Sequence, residues 1–453
     1  MAEKKTLTCF KAYDIRGKVP DELDTELAYK IGLATVQFLY AKKIVVGRDI
    51  RKTGLEMRDA LIRGLTDAGA DVIDIGLCGT EMVYYAVSHL NADGGIMITA
   101  SHNPPEYNGM KFVRESSKPI SADTGLKDIE EMCIQNEFSK AGAPGSVEKI
   151  DVSQEYIQHI LSYVDVSKLK PCKLVVNAGN GCAGPIVDLL EPHLPFQFIK
   201  VHHEPDGEFP NGVPNPLLPQ NRPATSEAIK HNRADAGIAW DGDFDRCFFF
   251  SEQGDFIEGY YIVGFLAQAL LAKNPGGKIV YDPRLTWNTL EIVKQSGGEA
   301  VKSRSGHAFI KEKMRLIDAI YGGEMSAHHY FKDFFFSDSG MLPWLLVLEI
   351  MSETGKTLSE LVHERIQKFP CSGEINRLVN NPDAAIEHVR EYYQKQNPSI
   401  DETDGIGMEF DQWRFNLRKS NTEPILRLNV ESREDQELLN EKTQEILSII
   451  EKS

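Results

Sequence analysis

The sequence repeats one strand-and-helix pattern three times, and this repeat limits the folds that the chain can adopt. Each copy begins with a short run of apolar and β-branched residues, at 43–47, 173–177 and 278–282. Runs of this kind are typical of buried strands. A helical pattern and a second apolar run then follow. Because strands alternate with helices, we predict α/β units built around largely parallel sheets.

Each copy ends in a third strand that leads into a polar loop. The strands and their loops are, in chain order, 95–98 with 99–102, 237–240 with 241–246, and 319–321 with 322–328. Open α/β sheets bind ligands beyond the carboxyl ends of their strands. We therefore expect the three loops to line one shared cleft.

The chain is predicted to contain three related α/β/α domains, with mixed and largely parallel sheets, and a smaller C-terminal α+β domain. The predicted boundaries are 1–145, 146–254, 255–370 and 371–453. A linker with Pro and Gly at 139–145 separates the first two domains. At roughly 150 residues per domain, the length of 453 residues alone would suggest about three domains.

Charge and cysteine usage restrict the partners and the compartment. The net charge of −17 argues against nucleic acid or an anionic membrane as a partner. Neighbouring cysteines are at least ten positions apart, and such a scattered, odd-numbered set is typical of reduced cytosolic thiols. The N-terminus shows no apolar signal region. We expect a soluble, cytoplasmic protein, and the sequence leaves its oligomeric state open.

Asp241, Asp243 and Asp245 form the most specific motif. Their i, i+2, i+4 spacing on an extended turn directs three carboxylates the same way, and such hard oxygen ligands suit Mg²⁺ or Ca²⁺. An EF-hand is the rival interpretation, since Glu252 is the twelfth residue of that pattern. Arg246 stands where the EF-hand turn needs Gly, and both flanks look like strands, so we disfavour it.

Ser101, in Thr99-Ala100-Ser101-His102-Asn103-Pro104, is the candidate nucleophile. The local sequence is equally consistent with a helix-capping serine. A phosphorylated Ser101 would carry roughly −2 charge, and a cation could bridge it to the aspartates. The summed formal charge of such a site would be negative, and Lys111 and Arg246 are the nearest cations in sequence that could offset it.

Two further loops carry groups suited to a sugar phosphate. Glu324 and Ser326 pair a carboxylate with a hydroxyl, a combination that can bind adjacent sugar hydroxyls. The turn at 418–424 combines Arg418 and Lys419 with two hydroxyls and an amide, which makes a phosphate cradle.

Gly179-Asn180-Gly181-Cys182-Ala183-Gly184 matches the G-x-G-x-x-G fingerprint of dinucleotide-binding proteins, with Glu204 twenty residues beyond. An NAD-dependent oxidoreductase is therefore the alternative from another class. It explains neither Ser101 nor the aspartates. The alternative, purely structural interpretation is that these glycines permit a tight turn between a strand and a helix.

Taken together, the motifs resemble the α-D-phosphohexomutases, the phosphoglucomutase/phosphomannomutase family. The resemblance runs from Lys11-Ala12-Tyr13-Asp14-Ile15-Arg16-Gly17 to the Arg418 turn and covers nearly the whole chain. The segments at 99–104 and 323–331 look most like bacterial phosphomannomutases of GDP-mannose synthesis.

The resemblance implies a four-domain enzyme that interconverts mannose 6-phosphate and mannose 1-phosphate through a hexose 1,6-bisphosphate. It implies that Ser101 is the phosphoserine and, with Asp241, Asp243 and Asp245, a ligand of Mg²⁺. The other residues that match family positions lining the cleft are His102, Lys111, Arg246 and His328 near the chemistry, and Tyr13, Arg16, His307, Glu324, Ser326, Arg418, Ser420, Asn421 and Thr422 around the substrate.

Three points stay open within the resemblance. Glucose phosphates are the nearest rival substrates. The proton-transfer residue could be Lys111, His102 or His328. Two departures, Phe244 where many members have Gly and Arg284 near a common Lys, concern the shape of the pocket and hence the preferred sugar.

Overall fold

A computed structural model describes residues 6–139, 141–419 and 425–452. The chain consists of two compact units. The first unit contains residues up to Phe256 together with His328–Thr357. The second contains Ile257–Ala327 and the residues from Leu358 onward. Within the described ranges, no helix has the length and hydropathy needed to cross a membrane.

The first sheet lies in the first unit. Its strands are β1 (Ile15–Lys18), β2 (Lys43–Arg48), β3 (Asp71–Leu77), β4 (Gly94–Ile98), β5 (Tyr107–Arg114), β6 (Lys118–Pro119) and β7 (Val147–Lys149), and its helices are α1 (Thr25–Leu39), α2 (Gly54–Asp67), α3 (Thr80–His89) and α4 (Lys127–Gln135). The strand order is β1-β5-β4-β2-β3-β7, with β6 paired to β5. Strands β4, β2, β3 and β7 are parallel, whereas β5 and β1 are antiparallel to their neighbours.

The second sheet also belongs to the first unit. Its elements are α5 (Ser153–Leu161), β8 (Lys173–Asn177), α6 (Ala183–Leu190), β9 (Gln197–Val201), α7 (Pro223–Asn232), β10 (Ala236–Trp240) and β11 (Cys247–Phe250), and β12 (Phe256–Ile257) spans the division between the units. Strands β10, β8 and β9 are parallel, and β11 is antiparallel to β10. Strands therefore flank the aspartates on both sides, as predicted, whereas an EF-hand loop would be flanked by helices.

The remaining elements alternate between the units. They are α8 (Gly259–Lys273), β13 (Lys278–Tyr281), α9 (Trp287–Gln295), β14 (Glu299–Lys302), α10 (His307–Ile317) and β15 (Tyr321–Gly323) in the second unit, β16 (His329–Phe331), β17 (Ser337–Asp338) and α11 (Leu342–Thr354) in the first, and α12 (Leu358–Lys368), β18 (Ile375–Leu378), α13 (Pro382–Tyr393), β19 (Ser399–Asp401), β20 (Ile406–Glu409), β21 (Trp413–Lys419), β22 (Ile425–Ser432) and α14 (Gln436–Glu451) in the second. Strand β13 pairs in parallel with β14 and β15. The C-terminal strands form an antiparallel sheet in the order β18-β22-β21-β20-β19.

The predicted strands of the repeat are present in the structure. The first strands of the three copies are β2, β8 and β13, and the third strands are β4, β10 and β15. The last of these differs from the prediction, because β15 begins at Tyr321 and includes Gly322 and Gly323, which the sequence suggested as a turn. A Cβ on Gly322 would lie 2.8 Å from Met314 Sδ, and one on Gly323 would lie 2.6 Å from Val263 Cγ1. The glycines allow helices to pack closely against this strand.

Glu81 is a buried carboxyl group that connects three elements of the first unit. Near the start of α3, it accepts hydrogen bonds from Tyr156 Oη at 2.5 Å and Ser339 Oγ at 2.8 Å. The backbone N–H groups of Gly340 and Met341 also donate to it, at 2.5 and 3.3 Å. Burial raises the pKa of Glu81 to about 8. Helices α3, α5 and the start of α11 therefore meet at one protonatable group.

We expect Glu81 to make the protein less stable as the pH rises towards 8. Its pKa in the folded state is about 8, above its ordinary value, so the folded state binds the proton more tightly than the unfolded state. The stabilisation is full below the ordinary pKa and is lost as the pH rises through the folded-state value, by roughly 1 kcal/mol per pH unit. Glu81→Gln should flatten the fall of the thermal unfolding midpoint between about pH 5 and pH 8.

Glu26→Gln provides the matched control, because Glu26 is exposed on α1 and pairs with Lys30. It should leave the pH dependence in this range unchanged. A Glu81→Gln protein whose midpoint falls as steeply as that of the wild type would contradict the interpretation.

Candidate active site

Ser101 lies directly beyond β4, and the structure brings it against the aspartate loop. Its side chain is buried, and its Oγ donates a hydrogen bond to Asp241 Oδ2 at 2.7 Å. His102 Nδ1 lies 3.0 Å from the same hydroxyl oxygen. Ser101 has a φ of +49°, a left-handed conformation that is unfavourable for a residue with a side chain. The serine is thus held by tertiary contacts, and it does not begin a helix.

Asp241, Asp243 and Asp245 converge in the loop after β10. All three are buried, and one oxygen from each lies within 4.8 Å of the others. Asp243 Oδ1 and Asp245 Oδ1 accept no hydrogen bond from the described residues. Buried carboxylate oxygens without donors fit a hard divalent cation, which prefers oxygen ligands. This loop can therefore hold a metal ion.

Lys111, on β5, inserts its ammonium group between two of these carboxylates. Its Nζ lies 2.7 Å from Asp243 Oδ2 and 2.5 Å from Asp245 Oδ2. Burial disfavours the charged lysine, but the two carboxylates outweigh burial and raise the pKa of Lys111. Burial alone would likewise raise the pKa of Asp243, but Lys111 and a hydrogen bond from Thr80 lower it. For Asp241, burial and the nearby charges of Asp245 and Asp243 raise the pKa.

Close backbone contacts hold the aspartate loop against Ser101. A Cβ on Gly242 would lie 2.6 Å from the Ser101 carbonyl oxygen. A Cβ on Gly181 would lie 2.6 Å from the Gly242 carbonyl oxygen, which accepts a hydrogen bond from Cys182 N at 3.0 Å. Glycines at both positions are thus required by the packing. Gly181 belongs to the G-x-G-x-x-G motif, so this motif has a structural reason that involves no dinucleotide.

The backbone conformation at Phe244 suits glycine, the residue that the family resemblance implies for many members at this position. Its φ is +44°, which is a conformation that glycine adopts without strain. The ring is fully buried against Gly79, where a Cβ would lie 2.2 Å from Phe244 Cε1. The next residue, Thr80, donates from Oγ1 to Asp243 Oδ2 at 2.5 Å and from its backbone N–H to the Asp243 carbonyl at 3.0 Å. Phe244 therefore helps to hold the loop without displacing a carboxylate.

Arg246 and His328 lie next to each other at the same loop. Arg246 Nε donates to His328 Nε2 at 3.0 Å, and His328 Nδ1 lies 3.2 Å from Asp338 Oδ2. The hairpin of β16 and β17 brings Asp338 close to His328, because His328 directly precedes β16 and Asp338 ends β17. Burial, together with the charges of Arg246 and Arg16, lowers the pKa of His102.

Arg16 reaches the Ser101 loop from β1. Its Nη1 donates to Asn103 Oδ1 at 2.5 Å, and its Nε donates to Asp14 Oδ2 at 2.8 Å. Burial opposes the charged form, but Asp14 outweighs it and raises the pKa of Arg16. Tyr13 is half-buried and lies directly before Asp14, the ion-pair partner of Arg16. All of these groups belong to the first unit.

Glu324 and Ser326 lie together in the second unit, and Arg284 joins them. Arg284 Nη2 donates to Glu324 Oε1 and to Ser326 Oγ, at 3.2 Å each. The carboxylate of Asp282 accepts hydrogen bonds from Nε and Nη2 of the same arginine, at 2.9 and 3.0 Å. His307 is buried at the start of α10, and the N–H of Gly306 before it donates to Glu324 at 2.9 Å. The expected carboxylate and hydroxyl therefore share one positive partner.

Arg418 lies opposite Arg427 on the paired strands β21 and β22. Glu374 stands between them, 3.3 Å from Arg418 Nη2 and 3.5 Å from Arg427 Nη1. Burial would raise the pKa of Glu374, but these arginines and Arg284 lower it. Two cations directly opposite each other repel, so this pair favours an anion between them. Ser420, Asn421 and Thr422, which we predict to bind phosphate, lie outside the described residues.

Four family models match consecutive parts of the chain. The models for alpha/beta/alpha domains I, II and III of phosphoglucomutase/phosphomannomutase match residues 7–140, 154–254 and 258–369. The model for the C-terminal domain matches residues 374–448. The chain belongs to the phosphoglucomutase/phosphomannomutase family. The predicted family and the predicted fold class, three α/β/α domains followed by a C-terminal domain, are therefore confirmed.

Individual members of this family are similar along the whole chain. A protein of Xanthomonas campestris pv. campestris described as phosphohexose mutases is 60% identical over 446 residues, which are 98% of this chain and 99% of that protein. A phosphomannomutase of Escherichia coli is 56% identical over 452 residues with the same coverage. A solved structure of a phosphoglucomutase/phosphomannomutase family protein from Burkholderia thailandensis has a TM-score of 0.88 at 31% identity, over 99% of this chain and 98% of that one.

This member of the family is an isomerase that transfers a phosphoryl group, as the sequence predicts. The oxidoreductase alternative has no support. Its fingerprint at Gly179–Gly184 lies inside the segment that matches domain II of the family, at 154–254.

Three residues that contact the candidate site were not predicted from the sequence. Thr80, Asp338 and Glu374 contact residues of the candidate site, yet none belongs to a motif recognised in the sequence. Each lies next to the end of a strand or to a sharp turn, which was the available signal. The signal is weak because polar residues are common at such positions.

Gly242→Ala should separate the aspartate loop from Ser101. Its Cβ would lie 2.6 Å from the Ser101 carbonyl oxygen, which is backbone and cannot move aside independently. We expect mutase activity to fall by at least about 10-fold, because small misplacements of reacting groups are costly. Steady-state kinetics and metal titration would measure the effect.

Gly142→Ala is the matched control, since nothing lies within 4 Å of its added Cβ. It should keep full activity. Full activity in Gly242→Ala would show that the close approach is dispensable.

Proposed function

We propose that the protein interconverts mannose 6-phosphate and mannose 1-phosphate through phosphorylated Ser101 and a hexose 1,6-bisphosphate. One observation carries this proposal: the buried Ser101 hydroxyl donates to Asp241 at 2.7 Å, in a loop with two further buried carboxylates. Phosphomannomutases of Escherichia coli strain K12 and Vibrio cholerae are each 54% identical to the chain over nearly its full length. These names support mannose phosphates as the substrates.

The proposed reaction consists of two phosphoryl transfers. In the first, the bond between Ser101 Oγ and phosphorus breaks, and a bond forms between phosphorus and the free hydroxyl oxygen of the sugar phosphate. The hydroxyl proton passes to a side chain of the site, for which His102, Lys111 and His328 are the candidates. The sugar bisphosphate then turns over, and the released Ser101 oxygen forms a bond to the other phosphorus. The bond between that phosphorus and its sugar oxygen breaks, and the side chain returns the proton to the freed sugar oxygen. Such transfers depend chiefly on positioning and charge stabilisation.

Asp241, Asp243 and Asp245 are proposed to hold Mg²⁺ together with an oxygen on Ser101. The ion would neutralise charge on the transferring phosphoryl group. Lys111 and Arg246 add positive charge beside these carboxylates, supported by the contact of Lys111 Nζ with Asp243 and Asp245. A phosphoryl group can thus be stabilised inside a strongly acidic protein.

Residues of the second unit are proposed to bind the sugar and its other phosphate. Glu324 and Ser326 would bind two sugar hydroxyls, a role supported by their common partner Arg284. Arg418, Ser420, Asn421 and Thr422 would hold the phosphate that does not react, supported by the positions of Arg418 and Arg427 on paired strands. Tyr13, Arg16 and His307 are the other residues proposed to bind the substrate.

The domain boundaries and the cellular setting belong to the same proposal. The four domains would cover 1–145, 146–254, 255–370 and 371–453. We propose that the enzyme acts in the cytoplasm and supplies mannose 1-phosphate for GDP-mannose synthesis. Conversion of glucose phosphates is the second candidate, because the family model names phosphoglucomutase as well and the Xanthomonas campestris relative is named without a particular sugar.

A side-by-side assay tests the substrate. With Mg²⁺ and a trace of hexose 1,6-bisphosphate, mannose 1-phosphate should be converted with a higher kcat/KM than glucose 1-phosphate. Chelation should abolish both conversions and added Mg²⁺ should restore them, since the buried carboxylates need a cation to offset their charge. A higher kcat/KM for glucose 1-phosphate would establish the second candidate, and activity that survives exhaustive chelation would overturn the metal's role.

Ser101→Ala should abolish turnover, because it removes the oxygen that carries the phosphoryl group. The wild-type chain incubated with hexose 1,6-bisphosphate should gain the mass of one phosphoryl group, located at Ser101, and Ser101→Ala should gain none. Ser88→Ala controls for the loss of a hydrogen-bonded hydroxyl, since Ser88 Oγ lies 2.9 Å from Ser117 Oγ on another part of the unit. It should behave like the wild type. A phosphorylated and active Ser101→Ala enzyme would rule out the scheme.

A further inference from the structure

Arg51 is a fully buried arginine that none of the motifs includes. It lies three residues beyond the end of β2, and β4, which leads into the Ser101 loop, is the parallel neighbour of β2. Its relative exposure is 1%. A buried guanidinium is costly unless hydrogen bonds and an opposite charge compensate it. Its partners therefore indicate what it does.

Four backbone carbonyl groups of the Ser101 loop accept hydrogen bonds from this one guanidinium. Nη2 donates to the carbonyls of Ser101 at 3.0 Å and Asn103 at 2.6 Å. Nη1 donates to those of Pro104 at 2.7 Å and Tyr107 at 2.9 Å. The planar guanidinium thus sets the path of the loop from the serine to the start of β5.

The loop needs such a restraint, because Ser101 has a φ of +49°. A left-handed conformation costs a residue with a side chain about 1 to 2 kcal/mol. The conformation directs the Ser101 hydroxyl to Asp241, at 2.7 Å, while its carbonyl is directed to Arg51. Loss of the carbonyl contacts would let the loop relax and move the hydroxyl away from the carboxylates.

Arg51 is itself held rigidly. Asp49 Oδ2 lies 3.4 Å from its Nε, and Asp49 Oδ1 accepts a hydrogen bond from its backbone N–H at 2.9 Å. The ring of Phe209 lies 5.4 Å from its guanidinium carbon. A lysine at this position could keep the charge. Its three donors lie on a single nitrogen, however, and cannot reach the four carbonyls that the two terminal nitrogens of the arginine bind.

We propose that Arg51 is a positioning residue for phosphoryl transfer, which holds the Ser101 loop in the conformation that presents the serine oxygen to the aspartates. This inference rests on the proposed function, in which Ser101 carries the phosphoryl group. Arg51 does not touch the reacting atoms, and it acts through the carbonyl groups of the loop.

Arg51→Lys and Arg51→Ala test this role. The measurements are the single-turnover rate of Ser101 phosphorylation by glucose 1,6-bisphosphate, kcat and KM in steady state, and the thermal unfolding midpoint. Both variants should lower the phosphorylation rate and kcat by about 10- to 100-fold, while KM changes little, because misplacing the nucleophile affects transfer more than binding. Guanidinium ion at low concentration should partly restore Arg51→Ala and leave Arg51→Lys unchanged. A merely structural role predicts a lower unfolding midpoint with wild-type kcat per folded molecule.

Arg58→Lys is the matched control, because Arg58 lies on α2 and pairs with Asp59 and Asp74 instead of the loop. It should phosphorylate Ser101 at the wild-type rate. If neither Arg51 variant folds, Asp49→Asn, which loosens the guanidinium, should lower the same rate by a smaller factor. A wild-type rate and kcat in Arg51→Lys, or in Asp49→Asn when it carries the test, overturns the inference. A wild-type enzyme that never becomes phosphorylated at Ser101 overturns the proposed function instead.

Discussion

The close approach between the Ser101 carbonyl and the backbone of Gly242 is the contact on which the geometry of the candidate site in the first unit depends. It sets the loop after β4 directly against the loop after β10, so that a hydroxyl from one sheet meets carboxylates from another. Gly181 supports the same contact from behind, because its missing side chain leaves room for the Gly242 carbonyl. Three backbones in van der Waals contact leave no freedom for larger residues at the two glycines.

Charge is the second constraint. Three buried carboxylates at one loop would repel each other strongly without cations nearby. Lys111, on the strand that follows the Ser101 loop, already contacts two of them, and Arg246 lies 3.7 Å from Asp241. The protein as a whole carries a charge of −17, so its capacity to bind an anionic substrate depends on such local clusters. In the second unit, Arg284, Arg418 and Arg427 around Glu374 form another.

The chemistry-bearing loops could be predicted from the sequence because they combine two local signals, a buried strand and a polar turn at its end. Asp241 to Asp245 and Ser101 have both signals. Arg51 has the second signal only in a weak form, as one of several charged residues after β2, and its importance comes from carbonyl groups fifty or more positions away. Asp338 likewise reaches the candidate site through tertiary contacts, since His328 precedes it by ten positions and lies against it across a hairpin.

The sequence by itself determined the repeated α/β units and the residue types at the ends of the strands, because periodicity and turn chemistry are local properties. The family followed from the resemblance of its motifs. Only the tertiary structure decided which of these residues meet, since hydrogen bonds and charges act over a few ångströms regardless of separation along the chain. It showed that Ser101 does not cap a helix. The residue has a left-handed conformation, and its hydroxyl donates a hydrogen bond to Asp241. It also gave the G-x-G-x-x-G motif its physical reason, which is room for the neighbouring loop that carries the aspartates.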